Sequence, residues 1–282
     1  MAGKNETVGK TLLVAFLVCV VCGVVVATAA VSLRPVQNEN KLIDKRMNIL
    51  QAAGMYQAGV DVNEQFATIE RKFVDIDTGD YVEMPESYDQ RKAAKDPKQS
   101  VRLSGDVDKA SIKSQAKVAE VYLAKGDNGE LSRIILPVHG YGLWSTLYGF
   151  LALEPDANTV AGLGFYEHAE TPGLGGEVDN PKWKALWHGK KLFGENGEVE
   201  IQVVKGTVES STPNAEHKVD GLAGATLTSN GVNNLLRFWV GENGFGPYLE
   251  RMQQATNVTE ESSEAAAVSE TVESSEQPEG DA

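Results

Sequence analysis

The chain has 282 residues, with 26 Lys and Arg against 40 Asp and Glu, and a formal charge of −14. That length allows a sizeable core in one large or two small domains, and the acidic balance argues against a nucleic-acid binder, which needs basic patches. The only cysteines, Cys19 and Cys22, lie in an apolar run near the start. The remaining sequence therefore offers no cysteine for a disulfide, zinc or iron–sulfur site. One helical turn separates the pair, and they are read as packing residues.

The run from Thr11 to Leu33 is free of charge. At about 1.5 Å per residue it crosses a hydrocarbon core of about 30 Å. Ala27-Thr28-Ala29 looks like a signal-peptidase site. The apolar run continues through Val31 and Leu33, however, and an uncleaved anchor is the preferred reading. Lys4 and Lys10 lie on one side; Arg34, Lys41, Lys45 and Arg46 lie on the other. Positive-inside counting places the large domain in the cytoplasm, but long domains translocate despite such a bias, so charge leaves the orientation open.

Lys41 to Ala53 carries Leu42, Ile43, Ile49 and Leu50 at helical offsets, and Gly54 stops it. Asn63 to Phe73 is read as a second helix from Phe66, Ile69, Glu70 and Phe73. Asp89 to Lys117 is charged and irregular, with helical propensity around Asp108 to Gln115. KVAEVYLAK, a GDNGE turn and LSRIILPVHG form a β-hairpin. YGLWSTLYGFLALEP and NTVAGLGFYEHAE follow, the second a strand with glycine breaks. NPKWKALWHGK is a short amphipathic helix and EVEIQVVKG a strand. The fold class is α+β: one N-terminal transmembrane helix, then a soluble domain with a mainly antiparallel sheet and flanking helices. The organisation is a short segment 1–10, the span 11–33, the soluble domain 34–255 and an acidic tail 256–282. The tail holds eight acids and no Lys or Arg, and is expected to be disordered.

Between strand and tail lies DGLAGATLTSNG, Asp220 to Gly231, followed by a helix with Val232, Leu235, Leu236 and Trp239 on one face. Thr228 or Ser229 is placed to cap it and Gly241 to end it. A final helix starts at Pro247. The four histidines show no metal-ligand spacing, and there is no nucleophile elbow or Walker loop. GLGF at 162–165 and GLGG at 173–176 lack a βαβ context. Two glycine-rich loops, 166–176 and 220–229, could still admit a flat ligand to the main chain, with Tyr141 and Trp144 nearby. A helix start supplies N–H donors suited to phosphate. Turns and a cap remain the plain alternative.

Asp220-Gly221-Leu222-Ala223-Gly224-Ala225-Thr226 resembles the flavinylation motif of FMN-binding domains, usually D-x-x-[S/T]-G-A-T, with Ala223 at the position of the usual hydroxyl. The GLWSTLYGFLAL block (142–153), YEHAETPGLGGEV (166–178) and the NPKW…W.GK region are similar to the C subunit family of the sodium-translocating NADH:quinone reductase. The resemblance covers the anchor and most of 34–255; the tail lies outside it.

That resemblance implies FMN held covalently by Thr226 through a phosphoester, attached from FAD by a separate Mg-dependent flavin transferase. It implies one subunit among six in a membrane complex that passes electrons from NADH to ubiquinone and moves Na+. This subunit is expected to bind neither NADH, quinone nor Na+. It takes an electron from an iron centre and hands it to a second covalent FMN on a neighbour. The expected location is the bacterial inner membrane, in contact with lipid, with the domain periplasmic. Thr228 is the rival acceptor and a hydrogen-bonding or capping residue. Glu170, Thr171 and Leu174 are expected to line the isoalloxazine; Leu227 and Thr228 follow from adjacency, and Asp220 serves recognition or loop shape. Neither catalytic residues nor metal ligands are expected. The alternatives are the flavin-carrying G subunit of an Rnf-type ferredoxin:NAD oxidoreductase and a membrane-anchored FMN-binding or sensory protein.

Overall fold

A computed structural model describes residues 7–126 and 128–256. The acidic tail beyond Thr256 falls outside the described residues. The chain divides after Arg46 into two compact units.

The first unit is most of α1 (Val8–Ala52), a single helix of 45 residues. The sequence pattern suggests a span at 11–33 and a separate helix at 41–53; the two are one element. Pro35 is the only proline inside it. A proline removes one backbone donor, and the helix continues past the lost bond. Among the described residues, α1 alone is long and apolar enough to cross a membrane. Cys19 and Cys22 are free thiols on it.

The second unit takes in the last turns of α1, where Ile49, Leu50 and Ala52 are buried. A short helix, α2 (Val62–Phe66), follows, with the Asp61 carboxylate accepting from the Asn63 and Glu64 amides. Then comes β1 (Ile69–Asp75), where the sequence spacing suggested that the helix runs on to Phe73. Apolar residues three and four apart fit a helix face, but pairing decides the outcome. β1 lies antiparallel to β4 (Val118–Lys125), with Ile69 opposite Ala124 and Asp75 opposite Val118.

Between them lie α3 (Gln90–Ala93), β2 (Ser100–Arg102) and β3 (Ser114–Ala116). The helix anticipated near 108–115 does not form. Asp108 accepts from the Ile112 amide at 2.7 Å and the Lys113 amide at 2.6 Å, and Ser111 and Lys113 have positive φ. A short acidic side chain competes here for the donors a helix would use.

The anticipated hairpin is β4 with β5 (Leu131–Tyr141), extended by β6 (Thr146–Leu153) and β7 (Val160–Glu167). The sheet order is β1-β4-β5-β6-β7, antiparallel throughout. The GLGF stretch sits inside β7. Next come α4 (Pro181–Ala185), β8 (Gln202–Val203) and β9 (Lys218–Val219), the last two pairing in parallel. α5 (Thr226–Val240) ends at Gly241, as anticipated, and residues 246–256 are again helical.

Both faces of the central strands are covered, which is why TLYGFLAL is apolar at almost every position. Ile134, Leu136, Val138, Leu151 and Leu153 share a core with Val232, Leu235, Leu236 and Trp239 of α5. Ile135, Phe150 and Ala152, pointing the other way, pack with Ile49 and Leu50 of α1. Each fully buried side chain of this size contributes about 1.5–3 kcal/mol relative to exposure. α5 is thereby fixed across β5, and its N-terminus is fixed beside the β5–β6 and β7–α4 connections.

Candidate functional site

Three segments meet at the start of α5. The first is the turn Gly142–Ser145 between β5 and β6. The second is the loop after β7, from His168 to Gly176. The third is the Asp220–Ala225 loop.

Asp220 shapes the third segment. Its carboxylate accepts from the Val208 amide at 2.8 Å, and its carbonyl accepts from the Trp183 indole N–H at 2.9 Å. Gly224 follows at φ +70°, a conformation that L side chains rarely adopt. Ala225 is the residue before the helix and makes no side-chain cap. The anticipated capping by Thr228 or Ser229 is therefore not found, because the helix starts two residues before Thr228 and three before Ser229. Ser229 instead accepts from the Leu222 amide at 3.1 Å, closing the loop from inside. The first backbone bond of the helix runs from the Ser229 amide to the Ala225 carbonyl at 3.0 Å. The N–H groups of residues 226–228 precede that bond and lie at the positive end of the helix dipole.

The hydroxyls of this turn part ways. Thr226 is exposed, while Thr228 and Ser229 are buried. Thr228 Oγ1 donates to Glu170 Oε2 at 2.8 Å. Glu170 itself is only 5% exposed. Its Oε1 accepts from the amides of Leu143 (3.0 Å), Trp144 (2.9 Å) and Ser145 (3.3 Å). Desolvation alone would raise its pKa, but the Trp144 amide, the Thr228 hydroxyl and the other two amides prevail and hold it below the ordinary carboxylate value. Further ties run through Ser145 Oγ, which accepts from the Ala169 amide at 2.7 Å, and through His168. The Glu170 amide donates to His168 Nδ1 at 3.2 Å, so Nε2 carries the proton and donates to Asp179 Oδ2 at 2.6 Å.

The start of α5 and the segments that meet there also carry apolar side chains that are exposed. Trp144 is 65% accessible, Leu227 58%, Leu174 44% and Leu143 37%. A Cβ added at Gly224 would lie 3.1 Å from Leu174 Cδ2, which places Leu174 against the Asp220–Ala225 loop. Thr171 is exposed, and its carbonyl accepts from the amides of Leu174 and Gly176. So Thr226, Leu227, Leu174, Glu170 and Thr228 are brought together. Glu170 and Thr228 lie beneath the surface, with their polar atoms spent on each other and on the backbone.

The sequence placed Gly142 and Leu143 in the 142–153 block and Gly175 in the glycine-rich loop, but not around the Glu170 carboxylate. A Cβ at Gly142 would fall 2.6 Å from Glu170 Oε1, and one at Gly175 2.5 Å from Thr228 Oγ1. The signal was present as two glycines, but the buried carboxylate they accommodate is invisible without the fold.

An exposed hydroxyl at a helix start, unpaired helical donors beside it and an apolar rim fit a planar group that ends in a phosphate. The fold and site define an FMN-binding domain preceded in the chain by a helix long and apolar enough to cross a membrane, and residues 142–241 match the FMN-binding domain family.

The relatives narrow that class. The Na(+)-translocating NADH-quinone reductase C subunit from Pseudomonas aeruginosa is 53% identical over 257 residues, covering 89% of this chain and 98% of its own. Its Yersinia pestis counterpart is 46% identical over 256 residues, covering 89% and 95%. The crystal structure of NqrC from Shewanella oneidensis superposes with a TM-score of 0.70 at 36% identity, covering 76% of this chain and 99% of that one. The chain belongs to the C subunit family of the Na(+)-translocating NADH-quinone reductase. The Rnf-type and sensory alternatives give way to that assignment.

Proposed function

We propose that this chain is the flavin-carrying relay of a Na+-translocating NADH:ubiquinone reductase, with FMN held on Thr226 through a phosphoester. The observation that carries this is selective exposure. Of Thr226, Thr228 and Ser229, only Thr226 offers its side chain to an incoming reagent.

Attachment requires the Thr226 hydroxyl to displace AMP from FAD. Oγ1 forms a bond to the FMN-side phosphorus, the phosphoanhydride bond breaks, and the hydroxyl proton passes to a base. A threonine hydroxyl is a weak nucleophile and needs that base together with a metal. Among the described residues no group of three or more His, Cys, Asp or Glu side chains could hold a metal ion. In this reading a separate Mg-dependent flavin transferase supplies both.

Once bound, FMN supplies electron exchange. The chain's own residues orient and shield. The N–H groups at the start of α5 and the helix dipole favour the phosphate. Leu174 and Leu227, with Leu143 and Trp144, give the ring an apolar seat. Thr171 borders it. An open rim leaves room for a redox centre of a neighbouring protein to approach, as a relay between an iron centre and a second flavin requires. The domain lies on the periplasmic side of the inner membrane, held by α1 among the lipids, within a complex of six subunits.

The test is a denaturing gel of protein made with the transferase, viewed under ultraviolet light. A fluorescent band in the wild type that is lost in Thr226→Ala supports the reading. A band that persists in Thr226→Ala and vanishes in Thr228→Ala moves the site.

A further inference from the structure

Among the described residues, Glu170 alone has a side chain that bonds both to the Leu143–Ser145 turn and to α5. Attachment of a cofactor to Thr226 does not by itself require such a residue. A carboxylate taken out of water is strongly unfavourable unless its lone pairs are filled. Here three consecutive amides and one hydroxyl fill them, and Gly142 and Gly175 leave the room for its oxygens. The three amides belong to the turn that carries Leu143 and Trp144, two exposed members of the rim. The hydroxyl belongs to the residue two places beyond Thr226.

We propose that Glu170 is a positioning residue for the flavin. Its carboxylate ties the Leu143–Ser145 turn to the first turn of α5 and so sets the apolar rim around the attachment point. It does this in the bare protein as in the loaded one. The proposal rests on the assignment of Thr226 as the attachment residue, but the tie itself exists before attachment.

The experiment uses the full chain in detergent micelles, produced with and without the flavin transferase, as wild type, Glu170→Ala, Glu170→Gln and Thr228→Val. Amide hydrogen exchange is followed at residues 143–145. The Val203 amide, which donates to Asn233 Oδ1 at 2.6 Å, serves as a reference for global folding. In bare Glu170→Ala, exchange at 143–145 is expected to quicken at least tenfold while Val203 is unchanged, and in the loaded form flavin fluorescence anisotropy falls. Glutamine keeps an acceptor oxygen, so Glu170→Gln regains most of the protection and anisotropy. Wild-type exchange and anisotropy in Glu170→Ala, or failure of glutamine to differ from alanine, overturns the proposal. If Val203 shows Glu170→Ala to be unfolded, Thr228→Val decides: faster exchange at 143–145 with lower anisotropy supports the tie, and wild-type values overturn it. Flavin found on a residue other than Thr226 overturns the attachment reading instead, and the exchange measurements on the bare protein still judge the tie.

Discussion

Thr228 donates its hydroxyl hydrogen to the Glu170 carboxylate across 2.8 Å, joining residues 58 positions apart. That bond separates two threonines that look equivalent in the sequence. Thr228 is committed to the interior, and Thr226 is left at the surface.

Thr228→Val should therefore keep flavin on Thr226. Removing the donor leaves a buried carboxylate oxygen short of one partner, which lowers stability by about 1–3 kcal/mol. In-gel fluorescence reads the first outcome and urea unfolding the second. Loss of the flavin band in Thr228→Val, with the fold intact, would assign the acceptor to the wrong threonine.

Gly142→Ala and Gly175→Ala each push a methyl group against the Glu170–Thr228 pair. Overpacking of this kind destabilises by about 1–3 kcal/mol. Gly164→Ala meets nothing within 4 Å and serves as the control; a shift of no more than about 0.5 kcal/mol is expected there. Equal urea midpoints for all three variants would contradict the crowded geometry.

A Cβ at Gly140 of β5 would lie 2.5 Å from Leu235 Cβ of α5. Gly140→Ala should destabilise by about 1–3 kcal/mol through overpacking. Leu235→Ala should destabilise by about 2–5 kcal/mol through a cavity. Leu235→Ala leaves the γ and δ carbons' space empty, which lets the backbones adjust around the added methyl. The double variant is thus expected to lose less than the two single losses together. Strict additivity in urea unfolding would show that the strand and helix do not meet there as described.

The pH profile has two parts. Removal from water, and then the nearby Arg91 charge, lowers the His139 pKa from 6.5 to about 4. The unfolded chain takes up that proton near pH 6.5 and the folded chain only near 4. The stability from neutral His139 is complete above pH 6.5, is lost as the pH falls from there to about 4, and amounts to roughly 3 kcal/mol. Glu170 acts lower on the scale. Its folded pKa lies below the ordinary 4.5, so its contribution is present above pH 4.5 and lost as the pH falls through the folded value. Replacing His139 with glutamine should flatten stability between pH 6.5 and 4 and leave the loss at lower pH in place. An unchanged slope between those values would contradict a neutral, desolvated His139.

Where local pattern and tertiary pairing agree, the fold is legible in the sequence. The hairpin β4–β5 shows in its alternation and turn. α5 shows in Val232, Leu235, Leu236 and Trp239, all of which are buried. β1 was hidden because Phe66, Ile69 and Phe73 also suit a helix face, and only β4 decides between the two. The 108–115 segment was hidden because Asp108 takes amides that propensity assigns to a helix. At the site, the glycine-rich loops and Thr226 were visible as motif. The inward turn of Glu170 was not, since its partners lie 25 to 27 residues upstream and 58 downstream.

The most direct measurement is peptide mapping of protein made in its native host. Trypsin cleaving after Lys218 and Arg237 releases the peptide Val219–Arg237, which holds Thr226, Thr228 and Ser229 together. The expected result is a mass increase equal to FMN less one water, with fragment ions placing it on Thr226. An unmodified peptide from protein made with the transferase present, or the added mass on Thr228 or Ser229, would contradict attachment at Thr226.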